Sequence, residues 1–214
     1  MKQALIAVIL TSAALAQTQS PEPNLMDPSS FKEQAPAKYT VDLKTTKGDI
    51  IIRVTRSFAP IGADRFYNLV KAGYYTDCSF FRITTQIVQF GIHAKPEVAQ
   101  TWYKATLQDD PVKEANTRGM VTFANAGVPN SRSTQIFINL IDNPDLNSNR
   151  FAPFGEVTKG MELVKLFYTG YGDPPNDFQQ KLFTQGKEYL DRTYPKLDRI
   201  LTATIESDEP KKKK

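Results

Sequence analysis

The 214-residue chain, 40% hydrophobic and 23% charged, has the composition of an ordinary globular protein and the length for one domain with extensions. Its formal charge of +4 is carried largely by the terminal run Lys211–Lys214, and no basic stripe with interleaved aromatics occurs, so a nucleic-acid partner is not expected. The one cysteine, Cys78, excludes an intramolecular disulfide, and the one histidine, His93, leaves little basis for metal or triad chemistry.

The first residues read as a targeting segment. Met1-Lys2 is a small positive start, Ala4 to Leu10 an apolar run, and Ala14-Leu15-Ala16 a small-x-small cleavage pattern, so residues 1–16 are expected to form a secretory signal peptide. The apolar run is shorter than the ~20 residues a membrane span needs, and no stable membrane insertion is expected. Residues 17–38, with prolines, serines and charges and no sustained period, read as a disordered linker.

Order is expected from Tyr39. Tyr39, Val41 and Leu43 alternate with Thr40, Asp42 and Lys44, then Lys47-Gly48-Asp49 supplies a turn, and Ile50 to Val54 returns, which is a β-hairpin pattern. Ser57 to Pro60 then opens a helix, with Ser57 near the N-cap and Phe66, Leu69 and Val70 on one face. The stretch Ser79 to Gly91 joins strand-forming aromatic and β-branched residues to Arg82 and two glutamines. If Phe80 and Arg82 share a strand face, the guanidinium lies on an apolar surface, where a charge has to be paired or used. Cys78 reads as a structural thiol and His93 as a strand-end or loop residue. Ala94 to Gly119 is loosely patterned and reads as a long surface loop, although it holds Trp102 and Tyr103. Strands are expected at Met120–Ala124 and Gln135–Leu140, with turn-rich sequence between and after them, then Phe154–Val157, a short helix through Met161, Val164 and Phe167, and a last strand at Ile200–Ile205. Before that strand, a helical insertion within about residues 171–197 carries Leu182, Tyr189 and Leu190 on one face.

Three motifs in this order resemble the cyclophilin-type peptidyl-prolyl isomerases. Phe80-Phe81-Arg82 followed by Gln89-Phe90-Gly91 is similar to the family's F-H-R and glutamine-glycine pattern. Phe123-Ala124-Asn125-Ala126-Gly127 with Thr134-Gln135-Ile136-Phe137-Ile138 resembles its second pattern, and Phe154-Gly155-Glu156-Val157-Thr158-Lys159-Gly160 its third. The resemblance spans roughly Tyr39 to Val157 and the final strand. It implies a mainly β fold: an eight-stranded antiparallel barrel capped by two helices, here with an extra helix inserted before the last strand, over residues 39–206. Since side chains fill such a small barrel, the ligand groove must lie outside it. Several positions depart from the pattern. The family's histidine before Arg82 is Phe81, its Gly-Gly-Asp is Phe90-Gly91-Ile92, and the loop after Arg82 is one residue shorter, leaving Gln86 or Ile87 nearest to a groove aromatic. A tryptophan aligns with Asp145, and a pocket histidine with Phe151.

Rotating an X-Pro bond crosses a barrier of about 18–20 kcal/mol, because amide resonance is lost as the peptide twists. It needs no nucleophile, metal or cofactor; it needs an apolar seat for the proline ring and a donor to the proline nitrogen as that nitrogen loses conjugation. By resemblance, Arg82 supplies that donor and Gln89 orients it, while Asn125, with Ala124 and Gln135, holds the peptide before the proline. Ile87, Phe137, Leu146 and Phe151 form the ring pocket, with Phe80 packed behind. The implied function is a monomeric, exported isomerase acting on proline-containing polypeptides. The alternatives are a cyclophilin-like module that binds such segments without turnover, and a scaffold whose extra helix and lysine tail dock a larger assembly.

Overall fold

In the computed structural model the described residues are 24–172 and 177–206. The expected signal peptide, residues 17–23 of the expected linker, residues 173–176 and the lysine tail at 207–214 lie outside them.

The hairpin of β1 (Lys38–Thr45) and β2 (Gly48–Thr55) pairs Tyr39 with Val54, Val41 with Ile52 and Leu43 with Ile50, so all six side chains enter the barrel. Helix α1 (Pro60–Lys71) follows and buries Phe66, Leu69 and Val70, as their spacing predicts. Its start differs from expectation. The N-cap is Ala59, not Ser57, and makes no side-chain cap bond. Instead the Ile61 and Gly62 N–H groups donate to the Asp110 carboxylate at 3.0 and 2.9 Å, an anion at the positive end of the helix supplied from a distant loop. Asp110 is in turn paired at 3.1 Å with Arg132, itself fully buried.

Strands β3 (Arg82–Ile83) and β4 (Ile87–Phe90) form a second, short hairpin. The next helix, α2 (Pro96–Tyr103), lies within residues 94–119, whose loose pattern predicts a surface loop. Two turns opened by Pro96 are too short to show a clear period, and the signal is carried by Val98, Ala99 and Trp102, all buried. Strands β5 (Met120–Phe123) and β6 (Ile136–Asn139), the single turn α3 (Asp145–Ser148), β7 (Pro153–Lys159) and the single turn α4 (Met161–Val164) come next. The added helix α5 (Phe178–Thr193) and β8 (Ile200–Glu206) complete the described chain.

The eight strands are ordered β3-β4-β6-β5-β7-β2-β1-β8, and every pair is antiparallel. The two ends of this sheet are joined by the chain just before β3 and β8: Phe80 N–H donates to Asp198 O at 2.9 Å, and Ile200 N–H to Cys78 O at 2.9 Å. That closure turns Phe80 inward. It is fully buried and stacked on Phe167, with ring centroids 4.2 Å apart. Hence Phe80 and Arg82 do not share a strand face, and Arg82 lies half-buried on the outside.

Part of the expected linker also belongs to the fold. Ala35 is buried and donates to Asp64, Glu33 is bonded to Asn68 through its N–H and carbonyl, and Phe31 packs edge-on against Trp102. The Trp102 indole N–H donates to Leu25 O at 2.7 Å. Residues 25–35 are thus fixed by specific partners that a local reading of prolines and charges does not reveal.

A second, smaller core joins α5 to the barrel. Phe178, Leu182, Tyr189 and Leu190 pack with Phe81, Ile92, Ala99 and Leu197. Leu182, Tyr189 and Leu190 share a buried face, as expected. The helix is broken at Gly186, whose φ of 59° only glycine adopts readily, and a Cβ there would stand 2.4 Å from Ala94 O. The break lets Lys187 N–H donate to Ala94 O at 2.9 Å.

Candidate active site

A groove of about 810 Å³ runs along the outside of the barrel between the β3–β4 hairpin and the 141–151 segment. Its floor is polar. Arg82 and Gln89 are direct partners in the β3–β4 register, and their side chains meet on the outer surface, where Arg82 Nη1 lies 3.5 Å from Gln89 Oε1. Gln89, 6% exposed, donates through Nε2 to Gln135 Oε1 at 2.7 Å.

The adjoining wall is apolar, formed by Ile87, two residues before Gln89 on β4, by Phe137, the direct partner of Gln89 on β6, and by Leu146 and Phe151. Phe137 and Phe151 meet edge to face at 5.7 Å. This wall stands on a network of asparagines buried behind it. Asn116 donates through Nδ2 to Phe151 O at 2.8 Å and to Asn147 Oδ1 at 2.9 Å, while its own Oδ1 accepts from Thr122 and Asn139. Asn139, fully buried, accepts from Asn143 Nδ2 at 2.8 Å, and Asn143 also reaches Gln86 O. Satisfied amides of this kind fix the loop without leaving a buried polar group unpaired.

The shortened loop is a tight turn. Thr84 Oγ1 accepts the N–H groups of Gln86 and Ile87 at 3.1 Å each, and both of those residues line the groove, so the wall left open by the missing aromatic is filled by Ile87. Asn125 and Ala124 also line it; Asn125 Oδ1 accepts Gly127 N–H in its own turn, leaving Nδ2 aimed at Asn149 O, 3.5 Å away.

Of the residues expected at the site, Arg82, Ile87, Gln89, Ala124, Asn125, Phe137, Leu146 and Phe151 line this groove. Gln135 lines the adjoining cavity of about 190 Å³, which shares Gln89, Ala124 and Asn125 with the groove. Phe80, expected packed behind the pocket and among the substrate-binding residues, is buried in the barrel interior and does not line the groove, because barrel closure turns it away. Two further contributors carry no local sequence signal. One is the asparagine network, whose members are scattered between residues 116 and 147. The other is Gln179 of α5, which lines both cavities and accepts from Gln135 Nε2 at 3.2 Å. The one available signal was the departure at Phe81, whose ring lies against Phe178 with centroids 6.1 Å apart.

Buried titratable groups lie away from the groove. Burial pushes the Cys78 thiol far up, and its Sγ contacts Ile92 O at 3.2 Å. Burial holds the His93 imidazole below its usual 6.5, with Nδ1 accepting Lys95 N–H at 2.9 Å. Among the described residues no group of three or more His, Cys, Asp and Glu side chains could hold a metal ion, and no helix is long and apolar enough to cross a membrane.

The defining sequence pattern of the cyclophilin type peptidyl-prolyl cis-trans isomerase family matches residues 40–181. The chain belongs to the cyclophilin family. Among similar proteins, a peptidyl-prolyl cis-trans isomerase of Acinetobacter baylyi is 33% identical over 133 residues, covering 60% of this chain and 71% of that protein. Peptidyl-prolyl cis-trans isomerase B of Escherichia coli is 31% identical over 137 residues, covering 58% and 80%. The fold is shared with the crystal structure of a Cryptosporidium parvum cyclophilin type peptidyl-prolyl cis-trans isomerase, with a TM-score of 0.58 at 21% identity, over 80% of this chain and 99% of that one. The cyclophilin pattern ends at residue 181, in the first turn of α5, so most of the added helix lies beyond it.

Proposed function

We propose that the chain catalyses cis–trans isomerisation of X-Pro bonds in polypeptides at its outer groove, and that it does so on exported proteins. The observation that carries the catalytic reading is the Arg82–Gln89 pair set beside the apolar wall of Ile87, Phe137, Leu146 and Phe151 in one groove. A proline ring seated on that wall brings its nitrogen toward the guanidinium. As the peptide twists, conjugation is lost and the nitrogen gains a lone pair that Arg82 stabilises by donating a hydrogen bond. This interaction is stronger in the twisted state than in either planar one, which is the condition for acceleration. Gln89 keeps the guanidinium in place, and Asn125 with the Ala124 backbone holds the peptide before the proline.

Exchange of an Ala-Pro peptide, followed by NMR in the presence of wild type and of Arg82→Ala, tests the reading. Acceleration by the wild type that collapses in the variant is expected; equal exchange at the uncatalysed rate in both would sink it. Support for export comes from the N-terminal sequence, with Met1-Lys2, the apolar Ala4–Leu10 run and Ala14-Leu15-Ala16. N-terminal sequencing of the protein recovered outside the cytoplasm should begin near Gln17, and an intact Met1 would overturn export by cleavage.

A further inference from the structure

Arg82, Gln89, Gln135 and Gln179 form a row of side chains in which each donor points the same way. Arg82 Nη1 faces Gln89 Oε1 at 3.5 Å, Gln89 Nε2 donates to Gln135 Oε1 at 2.7 Å, and Gln135 Nε2 donates to Gln179 Oε1 at 3.2 Å. A side-chain amide has one oxygen and one NH₂, so the orientation of each glutamine sets that of the next. Without an acceptor at position 179, nothing in the row stops Gln135 from turning its NH₂ toward Gln89. Gln89 would then meet a donor with its own donor and rotate, taking its oxygen away from Arg82.

The far end of the row is anchored independently of the groove. Phe178, next to Gln179, is 1% exposed and packs on Phe81, the residue before Arg82. Gln100 of α2 donates to Phe183 O at 2.9 Å, and Lys187 N–H to Ala94 O at 2.9 Å. Helix α5 is therefore seated from both sides, and its second residue is held over the junction of the two cavities.

We propose that Gln179 is a positioning residue for the reaction, setting the amide orientations of Gln135 and Gln89 and through them the placement of Arg82. The proposal rests on the isomerase reading above. The added helix is then a working part of the groove, and Phe81 is the seat that makes it possible.

The test compares Gln179→Leu, which removes the acceptor, with Gln179→Glu, which keeps an oxygen for Gln135 Nε2. Gln179→Leu should lower kcat for an Ala-Pro peptide about 3- to 10-fold, the range a single neutral hydrogen bond gives, with KM changed less than about twofold. Gln179→Glu should restore kcat to within about twofold of wild type. Melting midpoints of both should stay within about 2 °C, since the residue is half-exposed. In the free protein, the side-chain amide resonances of Gln135 and Gln89 and the Arg82 Nε–H resonance should all move in Gln179→Leu and return in Gln179→Glu. Wild-type kcat in the leucine variant, equal loss in both variants, or a resonance change confined to Gln135 would each overturn the proposal. If wild type itself fails to accelerate exchange, the isomerase reading falls, and the three resonances in the free protein alone decide whether Gln179 orders the row.

Discussion

The two sides of the groove are built on different principles. The apolar wall stands on a closed network: Asn116, Asn139 and Asn143 are all at least nine-tenths buried, and their amides are bonded within the 116–151 region and to Gln86. The polar floor is an open row of half-buried and buried side chains that starts at Arg82 and ends on a helix held by its own small core. The wall is thus expected to follow the global stability of the barrel, whereas the far end of the floor is expected to follow the docking of α5, which local opening would loosen before the barrel unfolds. Damage to one should appear as unfolding, and damage to the other as lost turnover.

The sharpest separation is expected at Arg82. Arg82→Ala should reduce kcat/KM about 10²- to 10³-fold, the usual effect of removing one preorganised transition-state donor, while the denaturation midpoint stays close to wild type. A parallel fall in stability would place Arg82 in the fold rather than the chemistry. Phe81→Ala removes the ring beneath Phe178 and should cost about 3 kcal/mol, the lower end for a buried phenylalanine, drawn from the docking of α5. Native-state hydrogen exchange should show it as faster exchange of α5 amides with β1 and β2 unaltered; uniform acceleration would show that helix and barrel unfold as one unit. Asn139→Ala should behave the opposite way, lowering global stability by about 2 kcal/mol because several buried amides lose partners, as read from chemical denaturation of the whole chain.

The smallest effect is on pH. Burial lowers the His93 pKa and outweighs the backbone hydrogen bond with Lys95, which raises it; the Lys95 charge adds to the lowering, and the charges of Glu97 and Asp77 oppose it. The unfolded chain therefore takes up the proton first: the contribution of His93 is complete above about pH 6.5 and is lost as pH falls toward the folded value. Because His93 Nδ1 holds Lys95 N–H in the turn whose Ala94 O accepts from Lys187, this loss should appear in α5 protection before it appears in the barrel. Equal protection of α5 at pH 7 and pH 5 would remove His93 from that seat.

The barrel was legible because its strands announce themselves locally. The alternation from Tyr39 to Val54 and the apolar runs at Val121 and Ile136 need no tertiary information, and the order of three motifs located Arg82, Gln89, Asn125 and Phe137. What escaped was set by distant partners. Phe80 follows the strand period on paper, but closure against Asp198 turns it inward. The α2 helix is two turns long and is recognisable chiefly through the burial of Trp102 under Phe31. Gln179 stands 90 residues after Gln89, and no pattern around it signals a groove residue.

The burial of Cys78 has a practical consequence. Its thiol is fully enclosed, its sulfur faces two carbonyl oxygens, and its deprotonation is suppressed, so in the folded protein it is inert toward alkylating reagents and disulfide exchange. As the chain's one cysteine, it leaves the native surface free of reactive sulfur. A cysteine introduced at exposed Gln180 would then be singly addressable, and a fluorophore or spin label attached there would report directly on how α5 sits beside the groove as a peptide binds.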